Sequence, residues 1–347
     1  MRRRSNPIVA YLAHQRGKWP RLLILTHDHP DPDAIASAWA LAYLAERLSR
    51  TRARIGYGGV IGRMENQTMV RLLRIPAHPI DTPEVARASQ VALVDTQPPF
   101  QNNRFSARRR ATIVIDHHPR HPKTLAEFSL IDRSAGATAT LLTEALLAAE
   151  LDIPSRLATA LIYGIASETQ HLGREAGPRD VRAYRVLFPR ASVSILAKIE
   201  HPPRPDSFFH TLGTAIRQAF VAGSVIGVHL GEVSNQDVVA HMADFLLTHE
   251  RMRWSFVTGR YQGRLCVSLR TRHRRAEAGR LLWRLLGSGT SAGGHRMIAG
   301  GAITVGQDAS EVAWRAAEQQ LTRAFLKSQG RAEPFEVQHP YRSLRRP

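Results

Sequence analysis

Apolar positions along the chain follow two rhythms. Short apolar runs at 22–26, 53–57, 91–94, 112–115 and 128–131 have the length and composition of strands. Between them apolar residues recur at helical spacing, as Ile35, Trp39, Leu41, Leu44 and Leu48 do within 34–50. Stretches 65–73, 137–149, 155–163 and 180–188 show the same spacing. Asp33 stands where a helix N-cap belongs, its carboxylate able to accept orphan amides. Apolar strands alternating with helices predict an α/β fold, a mostly parallel sheet covered by helices on both faces.

The rhythm breaks at 199–206, where Pro202, Pro203 and Pro205 crowd together and helices rarely persist. The predicted organisation is a first domain over 1–195, a linker over 196–208, a second, smaller α/β domain over 209–330 and a basic tail over 331–347. The second domain reads as strand 225–230, helix 237–247, strands 253–260 and 264–270, and helix 276–286. A glycine-rich stretch at 287–301 follows, then a strand and a helix ending near Lys327. The Arg- and Pro-rich tail is expected to be loose. No internal repeat is evident.

The composition narrows the class. With 347 residues, 43% of them hydrophobic, the chain can bury ample core. No run approaches the roughly 18 apolar residues of a membrane span, and no signal-like segment follows Arg2, Arg3 and Arg4. The only cysteine, Cys266, excludes an intramolecular disulfide and a cysteine metal site. A cytoplasmic protein without a membrane partner is expected. The net charge of +19 favours a negatively charged substrate. Only four of the 48 basic residues are lysines, and the arginines are scattered, so the charge also fits a genomic bias.

Candidate chemistry gathers at predicted strand ends. Residues 26–33 read Thr-His-Asp-His-Pro-Asp-Pro-Asp, which puts His27, Asp31 and Asp33 on one turn between strand and helix. Asp95 closes the next apolar run, and Asp116, His117 and His118 close another. Carboxylate oxygen together with imidazole nitrogen suits Mn²⁺, whereas Mg²⁺ leans toward all-oxygen sites. Two ions about 3.5–4 Å apart need a carboxylate that can bridge them, and Asp95 is the candidate bridge. His117 and His118 are neighbours in an extended segment and so are expected to point apart, unless the turn twists them together. Each cluster taken singly is also ordinary capping or turn chemistry. Together they point to a metal-dependent enzyme acting on phosphate esters.

These motifs resemble those of the DHH phosphoesterase family, named for the Asp-His-His found here at Asp116, His117 and His118. His27, Asp31 and Asp33 match its first motif and Asp95 its second. Gly164, Ile165, Ala166, Ser167, Glu168 and Thr169 occupy the place of its fourth, where Glu168 replaces the usual aspartate. Gly293, Gly294 and His295 match the Gly-Gly-His of the family's associated C-terminal domain, and Ser268, Leu269 and Arg270 resemble that domain's arginine-bearing strand. The resemblance implies one metal on His27, Asp31 and Asp95, and a second on Asp33, Asp95, His117 and Glu168. It further implies that His118 contacts the reacting phosphate, that Asp116 supports it, and that Arg270, Gly293, Gly294 and His295 bind the rest of the substrate. Glutamate is one methylene longer than aspartate, so the second metal is expected to bind with altered affinity, with or without help from His171.

The implied reaction is attack on phosphorus by a hydroxide that two Mn²⁺ ions activate, with Mg²⁺ as the alternative metal. The domain pair is similar to the nanoRNase and pAp-phosphatase branch and related to RecJ exonucleases. That favours short oligonucleotides or small nucleotides, including 3′-phosphoadenosine 5′-phosphate. Alternatives are a cyclic-dinucleotide or single-stranded nucleic acid phosphodiesterase, or a nucleotide-binding protein whose catalysis Glu168 has weakened. The Gly-Gly-His signature argues against an inorganic pyrophosphatase. The oligomeric state is left open, with a homodimer allowed.

Overall fold

The structure is a computed structural model that describes residues 6–100, 102–273, 275–287, 291–294, 296–331 and 333–342. The chain divides into two compact units between Pro202 and Pro203.

The first unit is built on strands β1 (Arg21–Leu25), β2 (Arg52–Tyr57), β3 (Ala77–Pro79), β4 (Val91–Val94), β5 (Ala111–Asp116) and β6 (Ala126–Ile131). They form one sheet in the order β3-β2-β1-β4-β5-β6, and every neighbouring pair is parallel. Its helices are α1 (Pro7–His14), α2 (Pro32–Leu44), α3 (Met64–Leu73), α4 (Thr82–Arg87), α5 (Thr138–Ala148), α6 (Ser155–Glu168), α7 (Pro178–Leu187) and α8 (Val193–Glu200). The two-residue period of a strand sends alternate side chains to opposite cores. Leu22, Ile24, Ala92 and Val94 pack with α2, α5 and α6, while Leu23, Leu25, Val91 and Leu93 pack with Ile80, Val85 and Phe105.

The path of the chain reverses between β1 and β4. From β1 it runs outward to β2 and β3, then crosses to β4 on the other side and continues to β5 and β6. Loops leaving the carboxyl ends of β1 and β4 diverge there, which opens the crevice where such sheets bind ligands.

Local chemistry sets the helices around that crevice. The N-cap of α2 is Asp31 rather than the expected Asp33: its Oδ1 accepts the Ala34 amide at 2.9 Å, and Pro32 occupies the first helical position. Proline is pre-set for that place, so the helix starts two residues earlier than the apolar pattern suggests. Helix α6 runs past the expected end at 163 to Glu168, which carries the fourth motif on its last turn. Gly164 lies where α6 crosses α2, and a Cβ there would sit 3.2 Å from the Asp33 Cα and the Pro32 carbonyl oxygen. That glycine therefore lets the two helices approach closely.

In the second unit, β7 (Phe220–Ala222), β8 (Val225–Glu232), β9 (Trp254–Tyr261), β10 (Arg264–Thr271), β11 (Ser291–Gly294) and β12 (Ile298–Thr304) form a mixed sheet ordered β11-β12-β10-β9-β8-β7. Only β8 and β9 pair in parallel. The helices are α9 (Asp206–Gln218), α10 (Asp237–Leu246), α11 (Ala278–Leu286) and α12 (Glu311–Ser328). One core joins the sheet to Leu282, Trp314, Leu321 and Phe325, and the other joins it to Ala215, Val239 and Met242.

The glycine-rich stretch contributes β11, which pairs with β12. Two expectations need correction. The linker drawn over 196–208 is shorter, because α8 continues to Glu200 and α9 begins at Asp206, which leaves the prolines between them. The tail is not loose where it is described. Val221 and Gln338 exchange main-chain hydrogen bonds at 2.8 and 2.9 Å, and Phe335 and Tyr341 pack on the two cores. Among the described residues, no helix is long and apolar enough to cross a membrane.

Candidate metal centre

His27, Asp95 and the Asp116–His118 segment leave the carboxyl ends of β1, β4 and β5, which are neighbours in the sheet. The fold therefore assembles in space what the sequence separates by some ninety positions. Asp95 is 3% exposed and adopts φ +57°, a left-handed conformation that aspartate tolerates better than most residues. Its Oδ2 lies 3.8 Å from His27 Nε2, and its Oδ1 lies 3.4 Å from His117 Nε2. Asp31 Oδ2 is 3.8 Å from the same His27 nitrogen.

Two sets of donors thus converge, each within 4.8 Å: His27, Asp31 and Asp95 in one, Asp95, His117 and His118 in the other. Asp95 belongs to both. In the second set His118 is the weakest ligand, because its Nδ1 already meets Asp116 Oδ1 at 2.8 Å. The turn does bring the two histidines together, with ring centroids 4.3 Å apart. Both approach Asp95 Oδ1, His117 Nε2 at 3.4 Å and His118 Nδ1 at 3.6 Å, but His118 is held more closely by Asp116 at 2.8 Å.

Asp33 and Glu168 fall outside both sets. Asp33 is 1% exposed and caps α5, accepting the Ala139 amide on Oδ1 and the Thr138 amide on Oδ2, each at 2.7 Å. Oδ1 also accepts the Ser37 hydroxyl at 3.3 Å, so Oδ2 is the oxygen that keeps a further lone pair for another partner. Glu168 acts electrostatically on His27, Asp33, Asp95 and His118, so its carboxylate shares their environment. Its main-chain oxygen accepts a hydrogen bond from Arg174 at 3.0 Å. His171 does not join the cluster; it is exposed and pairs with Glu200 at 3.9 Å.

Two buried residues at the centre lack any motif. Thr138 donates its hydroxyl to Asp95 Oδ1 at 2.8 Å and its amide to Asp33, tying two acids to the start of α5. Gln97 donates to Asp116 Oδ2 at 2.6 Å. The predicted N-terminus of a helix near 137 is the one sequence signal that could have pointed to Thr138. For Gln97 there is only its position two residues after Asp95.

The electrostatics are those of crowded acids. Burial, then the charges of Asp31 and Glu168, drives Asp33 well above the usual carboxylate range. Burial, then Asp33 and Asp31, does the same to Asp95. Burial works against the charge of His27, yet the hydrogen bond and charge of Asp31 overcome it and push His27 up to about 9. Asp31 moves down in return, against its own burial. Glu168 is pushed up to about 7 by burial and by Asp31, with Arg174 pulling the other way. Buried carboxylates that repel one another are relieved by a cation, and oxygen with imidazole donors matches the preference of Mn²⁺. The residues present therefore fit a divalent metal.

In the second unit Arg270 is 4% exposed and bound internally: Nε meets Asp244 Oδ1 at 2.5 Å, and Nη1 reaches Ser268 Oγ at 2.7 Å and the Leu269 carbonyl at 3.0 Å. Gly293 and Gly294 lie on β11, an edge strand. Gly294 has φ +147°, and a Cβ there would strike the Ile298 carbonyl oxygen at 2.2 Å, so the position demands glycine. His295 lies outside the described residues.

Residues 21–165 match the model of the DHH family, N-terminal domain. The chain carries a DHH-family domain. That match contains His27, Asp31, Asp33, Asp95 and Asp116–His118 and stops three residues before Glu168. Among similar proteins, the uncharacterised MJ1633 of Methanocaldococcus jannaschii is 38% identical over 292 residues, which cover 82% of this chain and 58% of that protein. A probable manganese-dependent inorganic pyrophosphatase of Enterococcus faecalis is 26% identical over 155 residues, covering 43% of this chain and 48% of its own. The chain thus spans between about half and three fifths of the length of these two relatives. Among solved structures, an exopolyphosphatase-related protein from Bacteroides fragilis shares the fold of this chain. Its TM-score is 0.68 at 14% identity, with 92% of this chain and 97% of that one covered.

Proposed function

We propose that this DHH-family protein is a cytoplasmic, Mn²⁺-dependent phosphoesterase that hydrolyses short oligonucleotides or small nucleotides. The carrying observation is Asp95, whose two oxygens face His27 on one side and His117 on the other. One carboxylate shared by two donor groups is what a pair of ions requires. His27, Asp31 and Asp95 would hold one ion. Asp95 and His117, with Asp33 and Glu168 beside them, would hold the other. The similarity to probable manganese-dependent pyrophosphatases supports the choice of metal. Bound ions of this kind lower the pKa of water and offset charge on phosphoryl oxygens.

The protein's own groups do the rest. His118 Nδ1 is committed to Asp116, so contact with a phosphoryl oxygen would run through Nε2. Asp116 is fully buried and fixes that ring. Thr138 holds Asp95 in place through Oδ1, the oxygen that also faces His117. In the second unit, Gly293 and Gly294 on an edge strand leave main-chain groups open to a ligand's approach. The Gly-Gly-His segment supports a nucleotide rather than pyrophosphate as substrate.

The test supplies Mn²⁺ and compares a dinucleotide, 3′-phosphoadenosine 5′-phosphate, a cyclic dinucleotide, a longer single strand and pyrophosphate. Turnover of the dinucleotide or the bisphosphate is expected. Hydrolysis of pyrophosphate alone defeats the substrate assignment. Binding without product from any of the five favours a nucleotide-binding protein in which Glu168 has weakened catalysis.

A further inference from the structure

Gln97 is fully buried, follows Asp95 by two residues and belongs to no motif named above. Its amide is saturated. Nε2 donates to Asp116 Oδ2 at 2.6 Å and to the Pro119 carbonyl at 3.1 Å. Oε1 accepts the His121 amide at 2.8 Å and the Thr124 hydroxyl at 2.7 Å. This arrangement fixes which way the side chain faces. A carboxylate and a carbonyl on one side can only accept, and a main-chain N–H on the other can only donate, so a flipped amide would set like against like.

The consequence reaches the histidine. Asp116 has two oxygens: Gln97 takes Oδ2, while Oδ1 receives both the His118 amide at 3.1 Å and His118 Nδ1 at 2.8 Å. An acid held at one oxygen only could rotate about its Cβ–Cγ bond and lose the ring. Held at both, it is a fixed mount. Because Gln97 and Asp95 share one turn, the mount is also tied to the bridging carboxylate.

We propose that Gln97 is a positioning residue that aims His118 at the reacting phosphate by clamping Asp116, tying the Asp95 turn to the 117–124 loop. The assignment rests on the phosphoesterase reading for its kinetic consequence, though not for its structural one.

The test uses Gln97→Met, which keeps the bulk and removes both hydrogen-bonding ends, and Gln97→Asn, which keeps the polarity and withdraws the amide from Asp116. The loss expected of either is about 10–100-fold in kcat, the range for outer partners of a metal site. Mn²⁺ affinity by calorimetry and KM should stay within about threefold, and the His118 imidazole N–H resonance should shift or broaden. Thr124→Val serves as the control for a merely structural role, since it loosens Oε1 and spares Asp116; it should lower Tm and leave kcat within about twofold. A folded Gln97 variant with wild-type kcat and an unmoved His118 resonance overturns the proposal. So does a Thr124→Val loss as large as that of Gln97→Met. If the wild-type chain turns over no phosphate ester, the phosphoesterase reading fails, and the resonance alone then decides whether Gln97 clamps Asp116.

Discussion

Thr138 Oγ1 donates to Asp95 Oδ1 at 2.8 Å, across 43 positions of sequence. The hydroxyl holds the oxygen that also faces His117, so it orients the shared acid toward the second donor group. Thr138→Val keeps the shape and the amide bond to Asp33 and removes only this bond. We expect Mn²⁺ affinity to fall by about tenfold, as for other outer-partner losses, with a stability cost of about 1 kcal/mol. Titration calorimetry and urea unfolding measure the two effects separately.

Replacing Asp95 itself tests the bridge. Asn accepts the left-handed backbone at φ +57° and nearly matches the size of Asp, so Asp95→Asn should fold. Turnover should drop by about 10³ or more, the scale of losing a central electrostatic group, and bound Mn²⁺ should fall below two per chain. Wild-type turnover in this variant defeats the assignment.

The pH dependence of the metal-free protein follows from two raised groups. Glu168 is held near about 7, above its ordinary value, so the folded state binds the extra proton between those values and loses stability as pH rises through that window. His27, raised to about 9, contributes stability that is complete below its unfolded value and disappears as pH climbs through 9. Metal needs the deprotonated ligands and works in the opposite sense. The Tm of the metal-free protein should therefore fall from pH 6 to 9, while the increment on adding Mn²⁺ grows. An increment that is flat or shrinks with pH contradicts this.

Glu168→Asp restores the residue usual at the fourth motif. Its shorter side chain, at the end of α6, changes how far the carboxylate reaches toward the second donor group. A measurable shift in Mn²⁺ affinity and in rate is expected. If both stay unchanged, the substitution has no mechanistic weight.

Gly164→Val sets two effects against each other. Leaving glycine for another residue gains a few tenths of a kcal/mol or so in helix propensity. The new side chain, however, meets the Asp33 Cα and the Pro32 carbonyl oxygen at 3.2 Å, and backbone atoms cannot swing aside. Overpacking of about 1–3 kcal/mol should win, read as a lower urea midpoint.

What could be read in the sequence was what is local. Strands β1, β4 and β5 are buried on both faces, so their apolar runs stood out, and the acids and histidines at their ends marked the crevice. The prolines at 202, 203 and 205 marked the boundary but hid α9, which begins one residue beyond the last of them. The strand β11 was masked by its own glycines, which look like turn residues until pairing with β12 is seen. Thr138 and Gln97 could not be recognised, because what they do is donate hydrogen bonds to acids 43 and 19 positions away. The start of α2 was misjudged by two residues because the side chain of Asp31 does two jobs, capping the helix and facing His27.

The hydrogen bonds between Val221 and Gln338 carry a practical warning. Expression plasmids that stop at the last helix, near Ser328, would strip the strip of chain that shields β7 and bare its outer main-chain groups. Such a shortened protein should self-associate through that uncovered border, and light scattering of the two lengths side by side would reveal it.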